Sequence, residues 1–183
     1  MDRRKREQLK RRDEAKLTAR ADRAQRTQVH GIIPGEFFAA ASSECRDVFI
    51  DGHYYACISL SQAVAEGLTR HMGDVHKVGA RNDPRKRVAL LLSKDAITNA
   101  TADAFLRIWG NDRNTFHHLN RDITTDRHLL EQRAEGCVEA LYEAESEVFA
   151  CERVGGKLVP KRPEYWTKTD PEHMSVFLRL LGH

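Results

Sequence analysis

A chain of 183 residues with 40% hydrophobic and 31% charged residues is long enough for one domain with a real core and a very polar surface. Its longest apolar runs, such as Val88-Ala89-Leu90-Leu91-Leu92, are too short to cross a membrane, and the charged N-terminus is not followed by the apolar stretch of a secretory leader. The net charge of +3 is unevenly placed: residues 1–28 carry eleven Lys/Arg against five Asp/Glu, so the basicity belongs to an N-terminal arm and the rest of the chain is mildly acidic.

The arm, residues 1–30, holds few apolar residues beyond Leu9 and Leu17, which predicts a solvated helix or a partly disordered segment. Arg3, Arg4, Lys5, Arg6, Lys10, Arg11 and Arg12 give it the charge to attract nucleic-acid phosphates, and the interleaved acids equally allow a plain solvated helix. From Ile32-Ile33-Pro34-Gly35 the spacing of Phe37, Phe38, Ala41, Cys45, Val48 and Phe49 predicts a first core helix, ended at Gly52. A second helix over about 54–72 is apolar on most sides through Tyr55, Ile58, Ala65, Leu68 and Met72, and belongs inside a bundle. Its polar residues Ser59, Gln62 and Glu66 share one stripe. That stripe either faces solvent or orients a functional cation.

Asn82-Asp83-Pro84 starts a short helix over 85–93, whose Arg85, Lys86 and Arg87, with Arg81 before them, can touch RNA or sit in solvent. Another helix runs from about Thr101 to Trp109 and stops at Gly110. Thr124-Thr125-Asp126 caps a long helix in which Leu130, Ala134, Cys137, Leu141, Ala144 and Val148 form a packing seam. Gly155-Gly156 marks a two-residue hairpin, with the helix-to-hairpin change somewhere between Glu145 and Ala150. Tyr165 and Trp166 pin a tail to the core or stack on a base, and Asp170-Pro171 opens a last short helix with Met174, Phe177, Leu178 and Leu181 on one face. The expected fold class is all-α, an up-down helical bundle over 31–150. Residues 151–183 add a small β-hairpin and the final helix. Cys45, Cys57, Cys137 and Cys151 form no CxxC pair and lie in apolar contexts, so buried free thiols in a reducing compartment, the cytoplasm, are expected.

Between Gly110 and the long helix lies Arg113-Asn114-Thr115-Phe116-His117-His118. It gathers a permanent cation, an amide and two imidazoles. Arginine grips phosphate bidentately, and histidine exchanges protons near neutral pH. Those groups suffice to cleave RNA without a metal; paired histidines on a helix are also often structural. Adjacent histidines point about 100° apart on a helix, so they do not jointly hold an ion, and no metal or other cofactor is expected.

The segment resembles the Arg-x4-6-His signature of the HEPN family, the higher eukaryote and prokaryote nucleotide-binding domains. Arg113-Asn114 followed by His118 fits with four intervening residues, and the preceding helices fit over roughly residues 35–150. The resemblance implies a compact helical bundle that dimerises with its two motifs facing across a cleft. Many such proteins are metal-independent endoribonucleases acting as toxins, antiphage effectors or RNA-processing enzymes; others are non-catalytic RNA- or protein-binding modules. It implies that Arg113 holds the scissile phosphate, His118 transfers the proton and Asn114 orients one of them or binds phosphate. RNA and a second copy are the implied partners, with any antitoxin or regulatory protein encoded separately. His117, four residues after Arg113, shares its helical face, whereas His118 is turned about 140° away. Either His118 acts across a dimer cleft, or His117 is reactive and His118 packs. Ser59, Gln62 and Glu66 would stand behind Arg113.

Overall fold

The structure, a computed structural model, describes residues 2–80, 82–110, 116, 120–121, 123–166 and 176–179. It is mostly helical. In chain order the elements are α1 (Arg3–Arg26), β1 (Ile32–Pro34), α2 (Ala39–Ile50), α3 (Tyr54–Val75), α4 (Pro84–Ser93), α5 (Asn99–Trp109), α6 (Arg127–Val148), β2 (Cys151–Val154), β3 (Lys157–Pro160), a 3-10 turn (Pro163–Tyr165) and β4 (Val176–Leu178). Among the described residues no helix is long and apolar enough to cross a membrane.

The helix starts follow local chemistry. Asp2, Asp83, Thr98 and Asp126 each accept a hydrogen bond from a backbone N–H in the first turn that follows, for α1, α4, α5 and α6 respectively. Packing then fixes the arrangement: α6 lies against both α5 and α3, and α3 against α2. The expected seam of α6 is buried throughout, from Leu130 to Val148. Cys45, Cys57 and Cys137 are buried and Cys151 half-buried, all as free thiols. The hairpin forms where expected, with Gly155 and Gly156 at φ of 57° and 82°, a conformation that suits a primed turn and disfavours side chains.

Two expectations fail at the ends of the core. Residues 32–34 do not open the first core helix: they are strand β1, paired antiparallel with β4 through Ile32↔Leu178, Ile33↔Phe177 and Pro34↔Val176. Pro34 lacks an N–H, and Glu36 and Ala39 donate to the carbonyls of Pro34 and Glu36 in successive turns, so the helix starts only at Ala39. Phe37 is exposed and lies over Gly67 instead of joining the buried face. The final helix expected through Phe177 and Leu178 is likewise absent at those residues. They belong to β4, whose alternation turns Phe177 toward the core and Leu178 to solvent; Met174 and Leu181 lie outside the described residues.

Tyr165 and Trp166 are buried and pin the tail, as one of the two sequence readings had it. The Tyr165 hydroxyl donates to the Ala96 carbonyl at 2.7 Å, and His71 Nε2 approaches the Tyr165 carbonyl at 3.0 Å. Burial pushes the Tyr165 phenol up to about 12, which keeps it a donor at any physiological pH.

His30 ties the β1 end to α6 through Nε2 and the Phe149 carbonyl, 3.3 Å apart. Burial holds its imidazole below the usual 6.5, against the opposing pull of that carbonyl and of Glu145. The unfolded chain therefore binds the proton first, and the stability His30 confers is full above its unfolded pKa and lost as pH falls through it. Urea midpoints at about pH 7.5 and 5.5 should fall further apart in the wild type than in His30→Gln; an equal drop would show that other groups govern this window.

Candidate functional site

Of the segment Arg113 to His118, Phe116 is described; Arg113, Asn114, His117 and His118 lie outside the described residues. What can be built is the frame that presents the segment. Phe116 is buried among Phe49, Tyr54, Cys57 and Ile58 on one side and Leu130, Ala134, Cys137 and Val138 of α6 on the other. Its ring stands 6.1 Å from that of Tyr55, whose hydroxyl donates to the Thr124 carbonyl at 2.6 Å. A phenylalanine at this place is a hydrophobic anchor worth roughly 2–3 kcal/mol of burial, set between the N-terminal half of α3 and the start of α6.

The entry into the segment is fixed as firmly. Trp109, the last residue of α5, is fully buried, stacks near Phe105 at 6.2 Å and donates from Nε1 to the Gln62 carbonyl at 3.4 Å. Arg133 of α6 caps the C-terminal end of α5: Nη1 donates to the Arg107 carbonyl at 2.8 Å and Nη2 to the Ile108 carbonyl at 3.0 Å. A cation at this end satisfies orphan carbonyls and complements the helix dipole. The chain then turns at Gly110, whose carbonyl accepts from Arg85. Gly110 has φ 51° and ψ −155°, a region open essentially to glycine, and a Cβ there would overlap the Arg133 guanidinium. Gly110→Ala should therefore cost roughly 1–3 kcal/mol in urea unfolding, and a neutral result would show that the turn is not held.

The polar stripe of α3 resolves unequally. Gln62 does not face solvent: it is fully buried, with Nε2 3.5 Å from the Ile108 carbonyl and Oε1 without a hydrogen-bond partner. Ser59 is half-buried, and Glu66 ion-pairs with Arg70 at 2.5 Å. The suggested pairing of Glu66 with Arg113 falls on a residue outside the description. Gln62 thus serves the α5 end that delivers the segment.

The other basic residues read from the sequence divide as well. Arg87 is buried against Gly73 and donates to the Thr69 hydroxyl at 3.1 Å, so it is structural and not an RNA contact. Lys86 is exposed, and Arg81 lies outside the described residues. The arm forms a continuous helix. Its last turns dock: Arg23 Nε donates to the Ile50 carbonyl at 2.8 Å, Arg20 pairs with Asp51 at 2.8 Å, and Arg26 pairs with Asp22, Glu131 and Glu135. Residues 2–19, including Arg3, Arg4, Lys5, Arg6, Lys10, Arg11 and Arg12, are exposed throughout. Burial raises the Cys45 thiol to about 12 and the Cys137 thiol to about 11 and lifts Cys57 further, so none of these supplies a thiolate nucleophile.

Comparison with protein-family models, with curated proteins and with solved structures finds no match to this chain.

Proposed function

We propose that the chain is a metal-independent endoribonuclease of the HEPN type, with Arg113, Asn114 and His118 completing its site across a homodimer cleft. The observation that carries this reading is the segment itself, a cation, an amide and imidazoles within six residues. The frame supports it: Gly110, just before the segment, sits in a fixed turn, and Phe116 within it is buried in the bundle. A site that must position groups within a fraction of an ångström needs such rigid support.

In this reading a histidine takes the proton from the ribose 2′-hydroxyl. The freed oxygen bonds to the adjacent phosphorus, Arg113 stabilises the charge on the pentavalent phosphorane, and the bond to the 5′-oxygen breaks as that oxygen is protonated. The products are a 2′,3′-cyclic phosphate and a 5′-hydroxyl. The test is cleavage of single-stranded RNA in EDTA by the wild type, His118→Ala, His117→Ala and Arg113→Ala, with the 3′ ends identified chemically. Cyclic phosphate ends, lost in Arg113→Ala and in one histidine variant, support it. RNA binding without turnover would instead make the chain a non-catalytic module.

A further inference from the structure

The exposed stretch of α1 is a helix that buries nothing. Residues 2–19 are all exposed, whereas docking begins at Arg20. Arg46 donates to the carbonyls of Ala24 and Thr27, Arg23 reaches Ile50 and Arg20 reaches Asp51, so α1 runs antiparallel to α2 and its exposed part extends past the α2–α3 turn. A polar helix of this length adds no apolar burial to the fold.

Its charges are sorted by face. At 100° per residue, Lys5, Arg12, Lys16 and Arg23 fall within about 40° of one another, while each acid inside the helix lies about 80° or more from the centre of that row. On the other faces Glu7, Glu14 and Asp22 pair within the helix with Arg3, Lys10 and Arg26, and Asp13 borders the row at about 80°. Lys5, Arg12 and Lys16 have no ion pair with a described residue and are exposed. The row also leads somewhere. Its last member, Arg23, lies over the Tyr54 ring at 5.9 Å, and Arg127 lies over the same ring at 4.9 Å. The next residue, Tyr55, faces Phe116 at 6.1 Å. Exposed His53, Arg121 and His128 belong to this end of the bundle. Three described acids there are engaged: Asp51 with Arg20, Glu131 with Arg26 and the Tyr54 hydroxyl, and Asp126 as the cap of α6.

We infer that Lys5, Arg12 and Lys16 form a phosphate-binding track that holds single-stranded RNA and leads it toward exposed Arg127, at the end of the bundle where Phe116 is anchored. The choice of RNA rests on the ribonuclease reading; the track rests on the sorted charge. Recognition is of the phosphodiester backbone, so it discriminates little among base sequences.

The test measures binding of a labelled single-stranded RNA to the full chain by fluorescence anisotropy, with every protein carrying His118→Ala so that the RNA survives. The track triple Lys5→Gln, Arg12→Gln, Lys16→Gln is compared with the charge-matched control Arg4→Gln, Lys10→Gln, Arg11→Gln, with helicity checked by circular dichroism. The track triple should weaken binding about ten- to a hundredfold at about 0.1 M salt and flatten the slope of log K against log salt by about 2, as three released counterions require. The control should change Kd less than about threefold. Equal losses in both triples, no loss in the track triple, or no RNA binding by the parent would each overturn the track. So would a parent that binds anionic vesicles in place of RNA. Cleavage by the chain with His118 intact, measured separately, leaves the ribonuclease reading intact if the track fails, and RNA binding through the track without such cleavage leaves the track intact.

Discussion

Cleavage of single-stranded RNA in EDTA is expected to fall by about 10²–10⁴-fold in His118→Ala, the usual worth of a positioned general acid or base. Arg113→Ala removes the cation at the phosphorane and should cost about 10²–10³-fold. The more telling result comes from mixing the two inactive proteins. On a regular helix Arg113 and His118 would be turned about 140° apart, and one copy would not bring them tightly together. In a composite cleft each site takes arginine from one copy and histidine from the other. A heterodimer of the two variants then has one site with both groups and one with neither. Random exchange makes about half of the dimers mixed, so about a quarter of wild-type activity should return. A site confined to one subunit would recover nothing. If His117→Ala loses cleavage and His118→Ala does not, the reactive histidine shares the helical face of Arg113, and a mixture of Arg113→Ala with His117→Ala should stay inactive. Full activity in Arg113→Ala and in both histidine variants would sink the ribonuclease reading.

How far the sequence could be read depended on how local each signal was. The seam of α6, the cap at Asp126 and the Gly155-Gly156 turn are written in residues a few positions apart, and the structure has them where the spacing put them. Strand β1 was not legible, because Ile32–Pro34 acquires its identity from Val176–Leu178 at the far end of the chain, and three residues are too few to show a period. The burial of Gln62 was not legible for a related reason. A polar stripe on a helix ordinarily faces water, and only the packing of α5 across α3 turns this amide toward Ile108. The cap that Arg133 places on α5 joins residues 25 apart or more, so Gly110 could be read as a helix stop but not as a residue whose missing side chain makes room for a guanidinium. The candidate segment was read from chemistry and resemblance. Its support, Phe116, was legible as an apolar residue among polar ones.

Among the described residues, the ion pair of Glu145 and Arg179 is the most deeply buried and gives the largest expected loss of stability. Glu145, on the buried side of α6, and Arg179, just after β4, have side chains 1% and 3% exposed. The contacts are bidentate: Arg179 Nη1 donates to Oε2 at 2.6 Å and Nη2 to Oε1 at 3.0 Å. The surrounding donors and acceptors are also used. The Ser42 hydroxyl donates to Glu145 Oε1 at 2.5 Å, and Arg179 donates to the Ser43 hydroxyl at 3.1 Å and to the His30 carbonyl at 3.0 Å. Together they fasten α6, the start of α2 and both strands of the β1–β4 pair. Such a pair stabilises little relative to apolar residues of the same volume, but removing one partner leaves the other charge buried alone. Glu145→Ala should therefore destabilise the protein by about 3–5 kcal/mol in urea unfolding, and Arg179→Ala by a similar amount. The double variant Glu145→Leu, Arg179→Met should recover most of the loss, because no charge is then stranded. Its recovery separates stranded charge from lost packing: if the double variant is as unstable as the sum of the singles, packing around the pair is what holds the tail. A cost below about 1 kcal/mol for Glu145→Ala would mean that water reaches the guanidinium and that the strand pair is fastened by its backbone ladder alone.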